Sequence, residues 1–85
     1  MSRHVARGPR STPAGRFGAA LAYERRRRSL SMSELARMAG THASEVSRLE
    51  RGLRDPRLWT IVRLARALEV PLGRLLDGIE TAAAG

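Results

Sequence analysis

The side chains in this sequence with the most chemistry to offer another molecule are its arginines. All sixteen basic residues are arginine, none is lysine, and eight acids leave a net charge of +8. There is no cysteine, so a disulfide framework, a thiolate nucleophile and a cysteine metal site are all excluded. His4 and His42 are the only histidines, too few for an imidazole metal cage. No nucleophile, base and orienting group recur at a useful spacing, so an enzyme is the poorest fit and neither metal nor cofactor is expected. A basic surplus of this kind points to an anionic partner, nucleic acid ahead of an anionic membrane.

The segment most able to use those arginines runs from Met32 to Leu53. Ser31-Met32-Ser33-Glu34 has the pattern of a capping box, in which the serine hydroxyl and the glutamate carboxylate each accept from the other's backbone amide. Met32, Leu35, Ala36 and Ala39 then share one helical face. Gly40 supplies the positive φ that a helix stop often needs. A following helix at 42–51 has Val46 and Leu49 to bury and is closed by Gly52. The connection Ala39-Gly40-Thr41 is long enough only for a tight corner, and small Ala36 allows the second helix to cross the first closely. These are the physical requirements of a helix-turn-helix whose second helix enters a major groove. With Val46 and Leu49 inward, Ala43, Ser44, Ser47, Arg48 and Arg51 face outward.

The chain around this segment reads as one small all-α domain, because no stretch alternates long enough to argue a strand. Five helices are expected. The first, at 16–28, is marked by Phe17, Ala20, Leu21 and Arg28, and the second and third are the pair above. A fourth opens at Asp55-Pro56, with Leu58, Ile61, Val62, Ala65 and Leu68 as its core stripe. After a break at Val70-Pro71, Leu72, Leu75 and Leu76 make a short fifth. Residues 1–15 carry Arg3, Arg7 and Arg10 among glycine and proline with no acid, and read as a disordered basic arm. The domain is assigned to 16–78 and a frayed tail to 79–85. No apolar run approaches the ~20 residues of a membrane helix, and no secretory signal is recognisable. The expected setting is cytoplasmic, associated with the nucleoid when DNA is bound, with no membrane partner.

SLSMSELARMAGTHASEVSRLERGLRDPRLWTIVRLARALEVPLGRLL resembles the Cro/C1-type, phage-repressor-like helix-turn-helix family, and the match as a whole covers about residues 16–77. SELARMAG, SRLERG, Asp55-Pro56 and LARALEV carry the resemblance. It implies a five-helix DNA-binding domain with the helix-turn-helix at helices 2 and 3. Carried onto this sequence, the family's base-contacting positions fall on Ala43, Ser44 and Arg48, with Ser47 beside them. An arginine at 48 can donate two parallel bonds to guanine O6 and N7, worth about 1–3 kcal/mol of discrimination. Ala43 offers a methyl to thymine, and Ser44 can bond a base edge or a phosphate. Phosphate contacts are implied for the Met32 and Ser33 amides at a helix N-terminus, and for Arg51, Arg54 and Arg57. Such contacts position the protein without reading sequence. Arg25 and Glu50 match a family pair that staples helix 1 to helix 3.

The sequence also departs from the family. Met32 stands where glutamine is common, His42 replaces a serine or threonine cap, and Glu24 occupies an apolar position. Arg26 to Arg28 make helix 1 unusually basic, while Pro71 and Gly73 replace a polar cap and an acid. The run Arg25–Arg28 suits either a phosphate grip or a solvated face, and Glu45 suits a pair with Arg48 better than a cytosine amine. Trp59 fits either a partner anchor or packing on the domain's own edge.

The leading expectation is therefore a sequence-specific regulator of transcription that occupies an operator in double-stranded DNA as a homodimer. The alternative is an antitoxin or partner-dependent subunit that meets a protein partner through Trp59, Leu72, Leu75 and Ile79. Coating of DNA without sequence preference is a third reading, and it predicts a steep salt dependence.

Overall fold

The computed structural model describes residues 12–80. It contains α1 (Pro13–Arg27), α2 (Met32–Ala39), α3 (Ala43–Glu50), α4 (Leu58–Leu68) and α5 (Leu72–Leu76), and no strand among the described residues. Helix α3 packs on α1 and α2, α4 packs on α2 and α5, and α5 returns to α1. One core results. Phe17, Leu21, Leu35, Val46, Leu49, Leu64, Leu68 and Leu75 are its fully buried large side chains, and each stabilises the fold by about 1.5–3 kcal/mol relative to exposure.

Helix α1 starts earlier than the expected residue 16. The Thr12 hydroxyl accepts from the Gly15 amide at 3.0 Å, and Pro13 takes the first helical position, where a missing N–H costs nothing. Residues 13–15 therefore belong to the domain and not to an arm, and Gly15 is buried. Arg3, His4, Arg7 and Arg10 lie outside the described residues, as do residues 81–85 of the expected tail. Ile79, assigned to that tail, packs against the core.

The first four helices end alike. At Ser29, Gly40, Gly52 and Glu69 the chain takes a positive φ of 55°, 72°, 70° and 59° respectively. In each case that residue's amide and the next one bond back to carbonyls of the last turn, as in Thr41 N–H to Ala36 at 2.9 Å and Val70 N–H to Ala65 at 3.0 Å. This double bond closes a helix by satisfying its orphan carbonyls. Glycine adopts the conformation freely, whereas Ser29 and Glu69 adopt it at a cost of about 1–2 kcal/mol.

Helix α4 differs from its expected form. It begins at Leu58, after an Arg57 cap that makes no side-chain bond, so Asp55 and Pro56 lie in the preceding loop. Its buried stripe is Ile61, Leu64, Ala65 and Leu68. Leu58 is 74% exposed and Val62 only half-buried, while Leu64, absent from the expected stripe, is fully buried. The inward face is thus rotated so that its edge falls on Leu64. In α5, Leu75 is fully buried and Leu72 partly exposed, which removes Leu75 from any partner surface.

Candidate nucleic-acid interface

The outer helix α3 is only eight residues long, too short to hold itself in water, so its position comes from packing. On one side Leu35, Ala36 and Ala39 of α2 receive Val46 and Leu49 in a single buried cluster. On the other side α3 is pressed close to α1 backbone to backbone. A Cβ on Gly18 would lie 2.2 Å from the Leu49 carbonyl oxygen, and one on Gly52 would lie 2.9 Å from Gly15 Cα. Only glycine fits such approaches. An ion pair completes the attachment. Arg25 donates through Nε to Glu50 Oε2 at 2.6 Å and through Nη2 to Oε1 at 2.9 Å. Both side chains are nearly buried. A fork-to-fork pair of this kind fixes angle as well as distance. The glutamate's hydrogen bonds, outweighing desolvation, raise the Arg25 pKa further above its ordinary value. Arg25 Nη1 also donates to the Leu30 carbonyl at 2.8 Å, so one side chain joins α1, the α1–α2 connection and α3.

The corner is fixed too. Arg63 of α4 donates to the Gly40 carbonyl at 3.2 Å. At the start of α2 the capping box is complete, with Ser31 Oγ accepting from the Glu34 amide at 3.0 Å and Glu34 Oε1 accepting from the Ser31 amide at 2.8 Å. The bonds from Ser31 hold the Glu34 carboxyl below its ordinary pKa. A phosphate at the Met32 and Ser33 amides would therefore share the helix terminus with an ionised carboxylate. The α3 N-terminus has no such device: His42 occupies the cap and makes no side-chain cap bond.

On the outward face of α3, Ser44 and Arg48 are exposed, while Ala43 and Ser47 are half-buried at its edges. No hydrogen bond or ion pair engages the Arg48 side chain among the described residues. Beyond the helix, Arg51 Nε donates weakly to the Ser47 carbonyl at 3.4 Å, and Arg54 and Arg57 are exposed in the loop before α4. The structure thus brings Ala43, Ser44, Ser47, Arg48, Arg51, Arg54 and Arg57 onto α3 and the loop that continues it. Met32 is half-buried and Ser33 exposed at the start of α2.

Glu45 is where the expected pairing fails. Its carboxylate meets Arg54 at 3.2 Å, across the α3–α4 loop, and not Arg48 one turn along. Helical spacing alone could not show this, because the partner is nine residues away and outside the helix.

The basic run of α1 has four separate fates. Arg25 is buried with Glu50, and Arg28 donates to Glu24 at 2.8 Å. Arg27 lies over the Tyr23 ring at 5.6 Å and reaches the same Glu24 oxygen more distantly, at 3.9 Å, while Arg26 is exposed. Glu24, at a position the family usually gives to an apolar residue, is only 2% exposed. Arg74 of α5 reaches its other oxygen at 3.4 Å. Burial pushes the Glu24 carboxyl up, and the bonds and charges of Arg28 and Arg74 bring it to a net position below the ordinary range. Trp59 is 55% exposed with Arg66 over its ring at 5.4 Å. Among the described residues no group of three histidine, cysteine or acidic side chains could hold a metal, and no helix is long and apolar enough to cross a membrane.

A short helix held outward by a tight left-handed corner, with a serine-and-arginine face continued by a basic loop, defines a helix-turn-helix DNA-binding domain. A family model described as helix-turn-helix matches residues 21–75, and the chain belongs to that Cro/C1-type (XRE) family of DNA-binding transcriptional regulators. Solved structures agree. The restriction-modification controller protein C.AhdI from Aeromonas hydrophila is 35% identical, with a TM-score of 0.71 over 73% of this chain and 94% of that one. A hypothetical transcription factor, NHTF, from Neisseria is 25% identical, with a TM-score of 0.74 over 89% and 87%. The clp gene regulator ClgR from C. glutamicum shares the fold at 23% identity, with a TM-score of 0.76 over 88% and 95%. No curated protein matches the chain.

Proposed function

We propose that this protein is a sequence-specific regulator that occupies an operator in duplex DNA, with α3 in the major groove and two copies bound as a homodimer. The observation that carries the reading is the uncommitted Arg48 guanidinium on the exposed face of a helix fixed by Arg25–Glu50, Gly18 and Gly52. A base reader must be free to bond while its helix is not free to move. Arg48 donates to guanine O6 and N7, Ala43 meets a thymine methyl, and Ser44 and Ser47 bond adjacent base edges. Arg51, Arg54 and Arg57, with the amides of Met32 and Ser33, hold phosphates and set the register.

One α3 spans only a few base pairs, and pairing two half-sites about one helical turn apart supplies the missing specificity. C.AhdI, whose solved chain is matched over 94% of its length, is named a restriction-modification controller protein, which supports a regulatory role for a domain of this size. Regulation then depends on concentration and occupancy, in the cytoplasm and on the nucleoid. Selecting genomic fragments with purified protein at physiological salt tests this: an inverted repeat should be recovered. Tight binding at low salt without enrichment would sink the reading.

A further inference from the structure

Glu45 lies on the flank of the outward face of α3, partly exposed, and it faces the loop arginine that the phosphate assignment needs. Its side chain is mostly covered and that of Arg54 half-exposed, with the two groups 3.2 Å apart. Around them Arg48, Arg51, Arg54 and Arg57 make the face strongly positive; of the nearby acids in sequence, Glu50 is held by Arg25 and Asp55 is exposed in the loop. A carboxylate on a surface that meets polyphosphate weakens every DNA complex unless something neutralises it.

We propose that Glu45 and Arg54 form a selectivity pair for DNA; this deepens the operator reading above and rests on it. In the free protein Arg54 neutralises Glu45. Against a duplex, a backbone phosphate competes for the Arg54 guanidinium, and the contact that anchors the loop uncovers the carboxylate. A carboxylate can only accept. Opposite a cytosine N4 or adenine N6 amine it gains a bond, whereas opposite guanine O6 and N7 it meets two acceptors and is repelled. Non-cognate DNA therefore faces a choice between losing the Arg54 phosphate contact and confronting an unpaired charge. Arg48 and Glu45, one turn apart on α3, would read opposite donor and acceptor patterns, so a single helix face rejects base pairs as well as selecting them.

Glu45→Gln keeps size and shape at a partly exposed site and gives the side chain a donor as well as an acceptor. The experiment measures wild type and E45Q on the selected duplex and on a shuffled duplex at two salt concentrations, with selection on randomised DNA repeated for E45Q. E45Q should bind the shuffled duplex several-fold more tightly and lower the specificity ratio by roughly tenfold. It should also admit guanine at the one position per half-site where the carboxylate rejects it. An unchanged ratio and preference in E45Q, with a selective wild type, would overturn the pair while leaving the operator reading intact. A wild type without any preferred duplex would overturn both. A structural role alone would change the melting temperature and leave base preference untouched.

Discussion

Arg25, Arg26, Arg27 and Arg28 are consecutive and chemically alike, yet only surroundings decide what each one does. Arg25 is nearly buried against Glu50, and removing one member of such a pair strands the other charge. Glu50→Ala should therefore lower stability by about 3 kcal/mol, read as a shift in the chemical denaturation midpoint with unchanged m-value. Arg54 has the opposite setting, half-exposed and held by one carboxylate. Arg54→Ala should weaken every duplex, non-cognate ones most because Glu45 is left unpaired, and flatten the slope of log K against log salt by roughly one. An unchanged slope would refute its phosphate role. The residue identities on the α3 face were legible in the sequence, since Val46 and Leu49 leave only one side of so short a helix outward. The Glu45–Arg54 contact and the Arg63 bond to the Gly40 carbonyl were not, because both cross between elements and leave no periodic trace.

At the scale of elements, the recognition helix depends on how closely α1 can approach it. Gly18→Ala should lower stability by about 3 kcal/mol and loosen α3, since the added carbon would meet the Leu49 and Glu50 carbonyls with no side chain to yield. Gly73→Ala is the contrasting substitution. Its nearest neighbour would be an Asp77 carboxylate oxygen at 4.0 Å, so helix propensity alone acts and stability should rise by up to about 1 kcal/mol. Thermal unfolding of the two variants beside wild type checks both signs. The capping box and the glycine stops at 40 and 52 make α2 and α3 readable from the amino-acid sequence, since each marks a helix end by its own local chemistry. The start of α1 carries a signal as well, Thr12 followed by Pro13. Composition outweighs it, because glycine and proline suggest an arm where Gly15 is in fact packed near Gly52. The rotation of α4 is hidden for a different reason: Leu58, Val62 and Leu64 are all apolar, so periodicity cannot choose which edge turns inward.

Across the whole molecule, Glu24 links the first helix to the last through Arg28 and Arg74. Its folded-state pKa lies below the ordinary value, so the unfolded chain binds the proton more readily and acid favours unfolding. This contribution should be complete above about pH 5 and fall away as pH drops through the unfolded glutamate value of about 4.3 and then the lower folded one. In Glu24→Gln that acid-sensitive component of the melting temperature should be missing, although losing the pairs with Arg28 and Arg74 makes the variant less stable at neutral pH. Net charge was the most legible property of the chain, and it correctly indicated an anionic partner class. It could not show where the charge is uncommitted, which depends on Glu24, Glu45 and Glu50 each capturing arginines. Arg48 is outside all of these pairs and stands on the exposed face of α3. Selection on randomised duplexes, run in parallel for wild type and Arg48→Ala, tests its reading role most directly. The variant should keep the inverted repeat and its spacing but lose guanine preference at one position in each half-site. Identical sequence preferences for the two proteins would contradict it and remove Arg48 from the reading face.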